Sequence, residues 1–393
     1  MKAFDGGVRY LFNVFHLTAL SYFPMALMIF ALTVKGLEIL TNLRIKKVSA
    51  ILFTIIVLFV INGLINISVA KQILWGLYIL VPFFFGFSFS FFFLENTRKF
   101  LPYFYWILVV ASLGVIFDYF IDYPWMGFSY EFAGETIEGS RVWSTHDINR
   151  LAGFGRTSFS TAVIIGILGL LLLSSMAKTG KNKKMFLWSL SFSAIILTTT
   201  KGIIIAYFFI SLLMLFRKWI PIFVLKALPV LIVITMILLP FVSAYYFEGG
   251  ISYSENDNLD SFFIRITSTW PQGIHAITNA GNAVLGRGMG GIGIPGGKAG
   301  DSVDAGPADN MAVYIYGIGG GIGLFLLFLV ALRSSNLISR RIINIHWLIY
   351  LMLIFIFSYG ITTNIVESAI LSLIFGVIVR ALMNINRLKY VNS

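Results

Sequence analysis

Arginine and glycine residues lie together in a polar stretch of an otherwise apolar chain of 393 residues. Arg150 and Arg156 enclose Gly153 and Gly155, immediately before an apolar run. Arginine offers a planar, permanently charged fork that suits phosphate, and glycine lets a backbone come close to a ligand. Single arginines at the ends of membrane helices usually reach for the interface. The paired arrangement fits a phosphate-binding site and an interfacial anchor about equally well.

A second polar stretch, residues 247–308, carries Arg265 in an amphipathic segment and Arg287 in a glycine-rich run. This glycine-rich run, Gly286–Gly293, includes Gly288 and is a weak signal for a loop that cradles phosphate. It lacks the Lys-Ser/Thr of a P-loop and the strand that precedes a nucleotide site. Taken alone, the run fits a flexible loop better than a ligand site, and Arg287 is a weaker phosphate candidate than Arg265.

Asp309 and Asn310 begin the next apolar run. A carboxylate there can orient or deprotonate a hydroxyl group, and both residue types are also good helix N-caps. Lys201 interrupts two short apolar spans, a costly position unless its ammonium group reaches water or an anion. His146 is a further acid–base candidate, although a lone histidine in a loop more often belongs to a polar surface. No Asp-x-Asp motif or histidine cluster indicates a metal, so we expect neither a metal nor a cofactor.

The rest of the sequence is typical of a membrane protein, with 58% hydrophobic and only 12% charged residues, against roughly 25% charged in soluble domains. Its apolar runs are continuous rather than alternating, and about 20 apolar residues span a bilayer as a helix. We therefore predict an all-α, polytopic transmembrane helical bundle of about 11–12 helices, forming one integral membrane domain over residues 1–393. The first membrane segment follows Arg9, and the count is twelve if residues 10–41 form a bent hairpin around Pro24. The clearest runs are Ile51–Ile67, Ile73–Leu94, Ala162–Met176, Ala227–Phe241 and Ile322–Leu332.

Basic residues indicate the orientation, because short loops rich in Lys and Arg stay in the cytoplasm. Six such segments alternate with other connections, so we assign the net charge of +12 to orientation and to anionic lipid, not to nucleic acid. Residues 121–156 and 247–308 are then two long periplasmic loops. The basic segments are 42–48, 95–99, 177–185, 217–226, 333–345 and 386–393.

The order of these motifs resembles the superfamily of O-antigen polymerases and O-antigen ligases. The resemblance covers roughly residues 140–330. Many members of the family carry Arg where this chain has Lys201. The ligase branch typically shows His-Asn, nine residues and Gly-x-x-Gly, and Asp309 stands in place of the histidine, which favours a polymerase. The matching pieces are the Arg150–Gly153 segment, the Leu197–Gly202 break, the Arg265–Trp270 segment, the Gly286–Gly293 turn and the helix start Asp309–Gly323.

The resemblance implies a glycosyltransferase that joins undecaprenyl-pyrophosphate-linked oligosaccharide repeat units at the periplasmic face of the bacterial inner membrane. The implied partners are that lipid-linked glycan, membrane lipids and a chain-length regulator protein. Two alternatives stay open, a flippase for the same lipid-linked unit and an O-antigen ligase. The catalytic candidates are Asp309, Arg265 and Arg150, and the substrate-binding candidates are Arg156, Arg287, Lys201, His146, Asn310 and Gly288.

Overall fold

Helices make up nearly all of the regular structure in the computed structural model of the chain. The structure describes residues 2–41, 47–67, 69–132, 135–145, 148–175, 180–247, 260–299, 308–338 and 344–388. Within these ranges, eleven helices are at least 15 residues long. They are α2 (Phe23–Thr41), α3 (Lys47–Asn66), α4 (Ala70–Ser88), α5 (Ser90–Phe117), α6 (Ser158–Ser175), α7 (Lys181–Leu197), α8 (Lys201–Phe216), α9 (Ile222–Tyr246), α13 (Met311–Ser334), α14 (Asn344–Gly360) and α15 (Ala369–Met383).

Six stretches of the described chain are long and apolar enough to cross a membrane, judged by length and composition. Shorter apolar helices accompany them at Phe53–Asn66, Lys201–Phe216, Ile345–Gly360 and Ala369–Met383. The prediction of an all-α polytopic membrane fold is therefore confirmed. The six stretches are Thr18–Glu38, Ala70–Ser88, Ser90–Phe117, Ser158–Ser175, Ile222–Tyr246 and Met311–Leu337.

The membrane-spanning part begins later than the sequence predicted. A separate short helix, α1 (Asp5–Val14), precedes α2. Pro24 lies in the first turn of α2, where its missing N–H costs no helical hydrogen bond, so no hairpin bends around it. The long helices of the described chain thus number eleven rather than twelve. A second difference is at Phe89, where the predicted run Ile73–Leu94 divides into α4 and α5.

Short elements occupy the two long connections that the sequence predicted as loops. The first connection folds into two antiparallel hairpins, β1 with β2 and β3 with β4, which the sequence did not predict. The second contains short helices and one π-helical turn. These elements are β1 (Ser129–Phe132), β2 (Glu135–Glu138), β3 (Ser144–Thr145), β4 (Ile148–Asn149), α10 (Asp260–Ile264), the π-helical turn (Arg265–Thr269), α11 (Trp270–Ala280) and α12 (Ile294–Ala299), with α16 (Ile385–Leu388) after α15.

Small residues let the helices pack closely. In α4, a Cβ on Gly86 would overlap the backbone of Leu373 in α15, and one on Gly376 would overlap Phe83 in return. Ser90 also donates a hydrogen bond of 2.8 Å to a carbonyl of α15. Such contacts are how membrane helices associate without a hydrophobic driving force between them. The most enclosed helices are α6 and α14, whose residues form the centre of the bundle.

One end of the bundle gathers the long connections, and we call it the polar-loop end. The Ile294 N–H donates to the Glu367 carboxylate at 2.7 Å, and Gly202 packs closely against Thr362. Segments distant in sequence therefore meet there. The described connections that belong to the polar-loop end are 121–132, 135–145, 148–156, 198–200, 260–299, 308–310 and 361–368.

The opposite end, which we call the basic end, carries the Lys and Arg residues that flank the other helix ends in the described chain. Arg387 Nη2 lies 3.2 Å from Glu95 Oε1. Arg333 Nε donates to the Leu382 carbonyl at 3.0 Å. The first contact joins segments 95–99 and 386–393, and the second joins Arg333 of segment 333–345 to the end of α15, so residues of three basic segments lie at this end.

Candidate functional site

The candidate site forms at the polar-loop end, where Arg265 meets Asp309. Arg265 Nε and Asp309 Oδ2 are 3.3 Å apart, and the two side chains remain 24% and 39% exposed. Arg265 Nη1 also donates to the Ser261 carbonyl at 3.0 Å. Both charged groups are thus partly removed from water yet reachable from one side. In such a setting, fixed charges act more strongly on a reacting phosphate than they do in bulk water.

Irregular backbone presents both side chains. Arg265 begins the π-helical turn between α10 and α11, and such turns occur frequently at functional sites. Asp309 has a φ of +40°, in the left-handed region that Asp and Asn tolerate better than branched residues. The buried Trp270 indole donates to the Asp309 carbonyl at 3.2 Å. The indole thereby ties the end of the π-helical turn to the start of α13.

Asn310, not Asp309, caps α13. Its Oδ1 accepts hydrogen bonds from two backbone N–H groups of the first turn, at 2.7 and 3.1 Å. Its Nδ2 donates to the carbonyls of Met236 at 3.2 Å and Ile361 at 2.9 Å. Because every hydrogen-bonding position of this buried amide is engaged, the predicted substrate role of Asn310 gives way to a structural one. The side chain of Asp309 does not cap this helix.

Arg150 approaches the site from the connection that holds the hairpins. Burial lowers the pKa of Arg150, and the like charge of Arg265 lowers it further, so the two guanidinium groups lie within electrostatic range. The Trp143 ring lies 6.0 Å from the Arg150 guanidinium carbon. Two like charges held near each other favour a multiply charged anion between them.

Backbone contacts fix the segment that carries Arg150. The Asp118 carboxylate, at the end of α5, accepts from the Ala152 N–H at 2.9 Å and the Gly153 N–H at 2.8 Å. Gly153 has a φ of +58°, and a Cβ there would collide with the backbone of Val115. Gly153 therefore serves packing against α5, and not the approach of a ligand that the sequence suggested.

Glu367 is a candidate that the sequence motifs did not identify. Burial raises the pKa of Glu367 to about 7, the Ile294 N–H opposes this rise, and the like charge of Asp309 adds to it. Asp309 and Glu367 thus lie within electrostatic range of each other. A carboxyl group that ionises near neutral pH is well matched to proton transfer. The available sequence signal was an acidic residue in a short connection between membrane helices, where ionisable groups are rare.

Arg156 lies apart from this group, beside the N-terminal helix. Its Nε donates to the Glu138 carbonyl at 3.0 Å. Burial lowers the pKa of Arg156, and the neighbouring Arg9 lowers it further. Arg9 itself pairs with Asp5 at 3.1 Å and donates to the Tyr130 hydroxyl at 2.6 Å. These contacts join α1 to the hairpins, so the structure places Arg156 in that joint and outside the candidate site.

Arg287 and Gly288 are enclosed by protein. Arg287 is 1% exposed, and its Nη1 donates to a carbonyl of its own glycine-rich run at 2.8 Å. Gly288 has a φ of +91°, and a Cβ there would overlap Gly63 in α3. The Asn62 and Gln72 side chains donate to the Gly286 and Gly290 carbonyls of the same run. The run is a packed turn between helices, and neither predicted ligand is placed to touch a substrate.

Lys201 is exposed at the start of α8, beside the predicted break between two short spans. That break is confirmed: α7 ends at Leu197 and α8 begins at Lys201, with three residues between them at the polar-loop end. The neighbouring Gly202 packs against Thr362, close to the connection that carries Glu367. The predicted candidate His146 lies outside the described residues.

No family model, curated protein or solved structure matches the chain. The resemblance to O-antigen polymerases therefore rests on its sequence motifs alone. Within the described ranges, no group of three or more His, Cys, Asp or Glu side chains is arranged to hold a metal ion. The fold and site define a polytopic α-helical membrane protein in which two arginines and two carboxylates group together at the polar-loop end. We use "candidate site" below for Arg150, Arg265, Asp309 and Glu367.

Proposed function

We propose that this chain is an O-antigen polymerase, a glycosyltransferase that joins undecaprenyl-pyrophosphate-linked repeat units at the periplasmic face of the bacterial inner membrane. The observation that carries the proposal is the Arg265–Asp309 pair, with Arg150 in electrostatic range, at the polar-loop end. A lipid-linked pyrophosphate holds its head group at the membrane surface. Charged groups at one end of a helical bundle are at the depth that such a head group occupies.

In the proposed reaction, a sugar hydroxyl of one repeat unit attacks the anomeric carbon of another. The bond from that carbon to the pyrophosphate oxygen breaks, and the lipid pyrophosphate leaves with the electron pair. Arg265 and Arg150 stabilise the negative charge that grows on the leaving group, since arginine donates two parallel hydrogen bonds to phosphate. One charge-assisted hydrogen bond contributes roughly 1.5–3 kcal/mol, which corresponds to about 10-fold or more in rate.

The two carboxylates act on the acceptor side of the proposed reaction. Asp309 holds Arg265 and orients the attacking hydroxyl, and the ion pair supports this choice between the two roles that the sequence left open. Glu367 takes the hydroxyl proton, because its pKa of about 7 leaves much of it ionised at neutral pH. Lys201, exposed at the same end, supplies further positive charge for the pyrophosphate of the lipid-linked substrate.

The orientation belongs to the same proposal. Short basic connections stay in the cytoplasm, which assigns the basic end to the inside and the polar-loop end to the periplasm. Membrane lipids then surround the bundle, with anionic head groups at the basic end. A chain-length regulator is the protein partner that the family resemblance implies.

A flippase for the same lipid is less well supported. Such a transporter requires charged groups along an internal path through the bilayer. Asp118 ends α5, and Glu367 lies between α14 and α15, so both acids belong to the polar-loop end. The ligase alternative is disfavoured by Asp309, which occupies the position of the ligase histidine.

Glycan analysis of a deletion strain tests the function. Loss of a polymerase leaves single repeat units on the lipid carrier or on lipid A, whereas loss of a flippase leaves no repeat unit outside the cytoplasm. Loss of a ligase leaves finished polymer on the lipid carrier. We expect single units, and long chains should return when the wild-type chain is expressed. Absence of external repeat units would exclude a polymerase.

A further inference from the structure

An apolar groove of about 360 Å³ lies between α3, α4, α13 and α15. Its volume falls in the range of ligand sites, roughly 300–1,000 Å³. Nearly all of its lining is aliphatic or aromatic, and among the described residues that line it, Arg333 alone is charged. Because these helices belong to the membrane-spanning part of the bundle, the chemical class that suits the groove is hydrocarbon.

The groove is long enough to discriminate between hydrocarbon chains. On α13, its lining extends from Tyr314 to Arg333, which are 19 positions apart. At a rise of 1.5 Å per residue this is at most about 28 Å, because α13 is kinked at Gly320. The hydrocarbon core of a bilayer is about 30 Å thick, so one leaflet supplies roughly 15 Å. A phospholipid acyl chain extends along about half of the groove's length, whereas a chain longer than one leaflet can extend along all of it.

One end of the groove reaches the candidate site. Val366, which lines that end, immediately precedes Glu367, and Met289 lines it from the glycine-rich run. Tyr314 also lines it, is fully buried, and its hydroxyl has no hydrogen-bond partner in the described structure. A buried hydroxyl without a partner is costly, and a polar group of a bound ligand would satisfy it.

We propose that this groove binds the polyprenyl chain of the lipid-linked substrate. The phosphate end lies near Tyr314 and the candidate site, and the far end of the chain lies near Arg333 at the basic end. The inference rests on the proposed function, because it deepens the same site by stating where its lipid anchor is held.

A photoreactive undecaprenyl phosphate, with a diazirine at the far end of its chain, tests the groove in purified protein. We expect it to label the part of α13 around Val330, and unlabelled undecaprenyl phosphate should suppress that labelling. An equal excess of dioleoyl phosphatidylglycerol should suppress it little, since each acyl chain fills only one leaflet's length. Equal suppression by both lipids would overturn the proposal, because the groove would then contact membrane lipids without selecting a long chain.

Matched tryptophan variants localise the effect. Val330→Trp fills the groove, whereas Leu332→Trp adds the same volume two residues away, on exposed surface outside the lining. We expect at least a 10-fold loss of labelling in the first variant and none in the second. Equal labelling of both variants would contradict the proposal, and if Val330→Trp fails to insert, the lipid competition in wild-type protein decides alone.

Tyr314→Phe gives a second readout, because it removes the buried hydroxyl. A purely structural role predicts unchanged or higher thermal stability and unchanged labelling, whereas a ligand role predicts several-fold weaker labelling. The labelling assay involves no sugar transfer. Normal polymer in an Arg265→Ala strain would therefore count against the proposed function, whatever the labelling shows. Absence of labelling in a wild-type protein that still forms polymer would count against the groove alone.

Discussion

Arg265 and Asp309 are 44 positions apart in sequence, yet their charged atoms lie 3.3 Å apart. Both were identifiable from the sequence, because charged residues beside apolar runs are rare. Their neighbours were harder to classify. Arg287 and Gly288 are residue types that occur in phosphate-binding loops, but α3 packs over them. The neighbouring residues in the sequence do not predict that packing. Asn310 likewise has a residue type that could bind a substrate, but all four of its hydrogen bonds join backbone groups.

Asp309→Asn removes the charge while keeping the shape and the tolerance of left-handed backbone. Because Asn310 caps α13, the start of that helix should be unaffected. We expect normal membrane insertion and thermal stability, with polymer formation reduced about 10-fold or more. Gel analysis of polymer length, together with thermal unfolding of the purified variant, measures both quantities.

The charge-reversed double variant, Arg265→Asp with Asp309→Arg, separates chemistry from a structural link. It restores an ion pair, and a partly exposed pair contributes only roughly 0.2–1 kcal/mol to stability. Polymer formation should remain lost, because the guanidinium then lies at position 309, on the acceptor side of the proposed reaction, and not beside the leaving pyrophosphate. Full polymer in the double variant would mean that the pair only joins two segments.

Glu367 gives the proposed reaction its pH dependence. The carboxylate form is required to take a proton, and its pKa is raised to about 7 by burial. The rate should therefore increase as pH rises through about 7 and level off above it. Glu367→Gln should slow the reaction by about 10²–10⁴-fold and remove that rise. A pH–rate profile measured on purified protein, with Glu138→Gln as a distant acidic control, provides the test.

At the scale of elements, long apolar runs predicted the helices well. In a bilayer, the backbone N–H and C=O groups of each run must form hydrogen bonds within the protein, and a helix provides them. The break at 198–200 was also predictable from its polar residues. The hairpins were not. Strands of two to four residues are too short to show a two-residue period, and Tyr130 is held there by Arg9 from the distant helix α1.

The glycine-rich run is held by a kink in α13, and adjacent glycines allow a matched test. Gly320 has a φ of +55° and a Cβ there would overlap Val284, whereas a Cβ on Gly321 would make only an ordinary contact, at 3.6 Å. Gly320→Ala should destabilise the protein by roughly 1–3 kcal/mol. Gly321→Ala should change stability little. Thermal unfolding compares them, and equal stability of the two variants would argue against a kink that requires glycine.

At the scale of the whole molecule, the charged groups sort to two ends of one bundle. The sequence contains no cysteine, so single cysteines can be introduced without a background. Gln272→Cys, exposed at the polar-loop end, should react with a membrane-impermeant maleimide in spheroplasts. Asn182→Cys, exposed at the basic end, should react only after permeabilisation. The reverse pattern would place the candidate site in the cytoplasm and end the proposed function.

The most direct test of the proposed function is polymerisation by the purified protein in liposomes that contain undecaprenyl-pyrophosphate-linked repeat units. The wild-type chain should form a ladder of polymers and release one lipid pyrophosphate for each linkage made. Arg265→Ala should lose the ladder, whereas Arg217→Ala, at the basic end beside Trp347, should keep it. A wild-type chain that forms no polymer, or an Arg265→Ala chain that forms as much as wild type, would contradict the account.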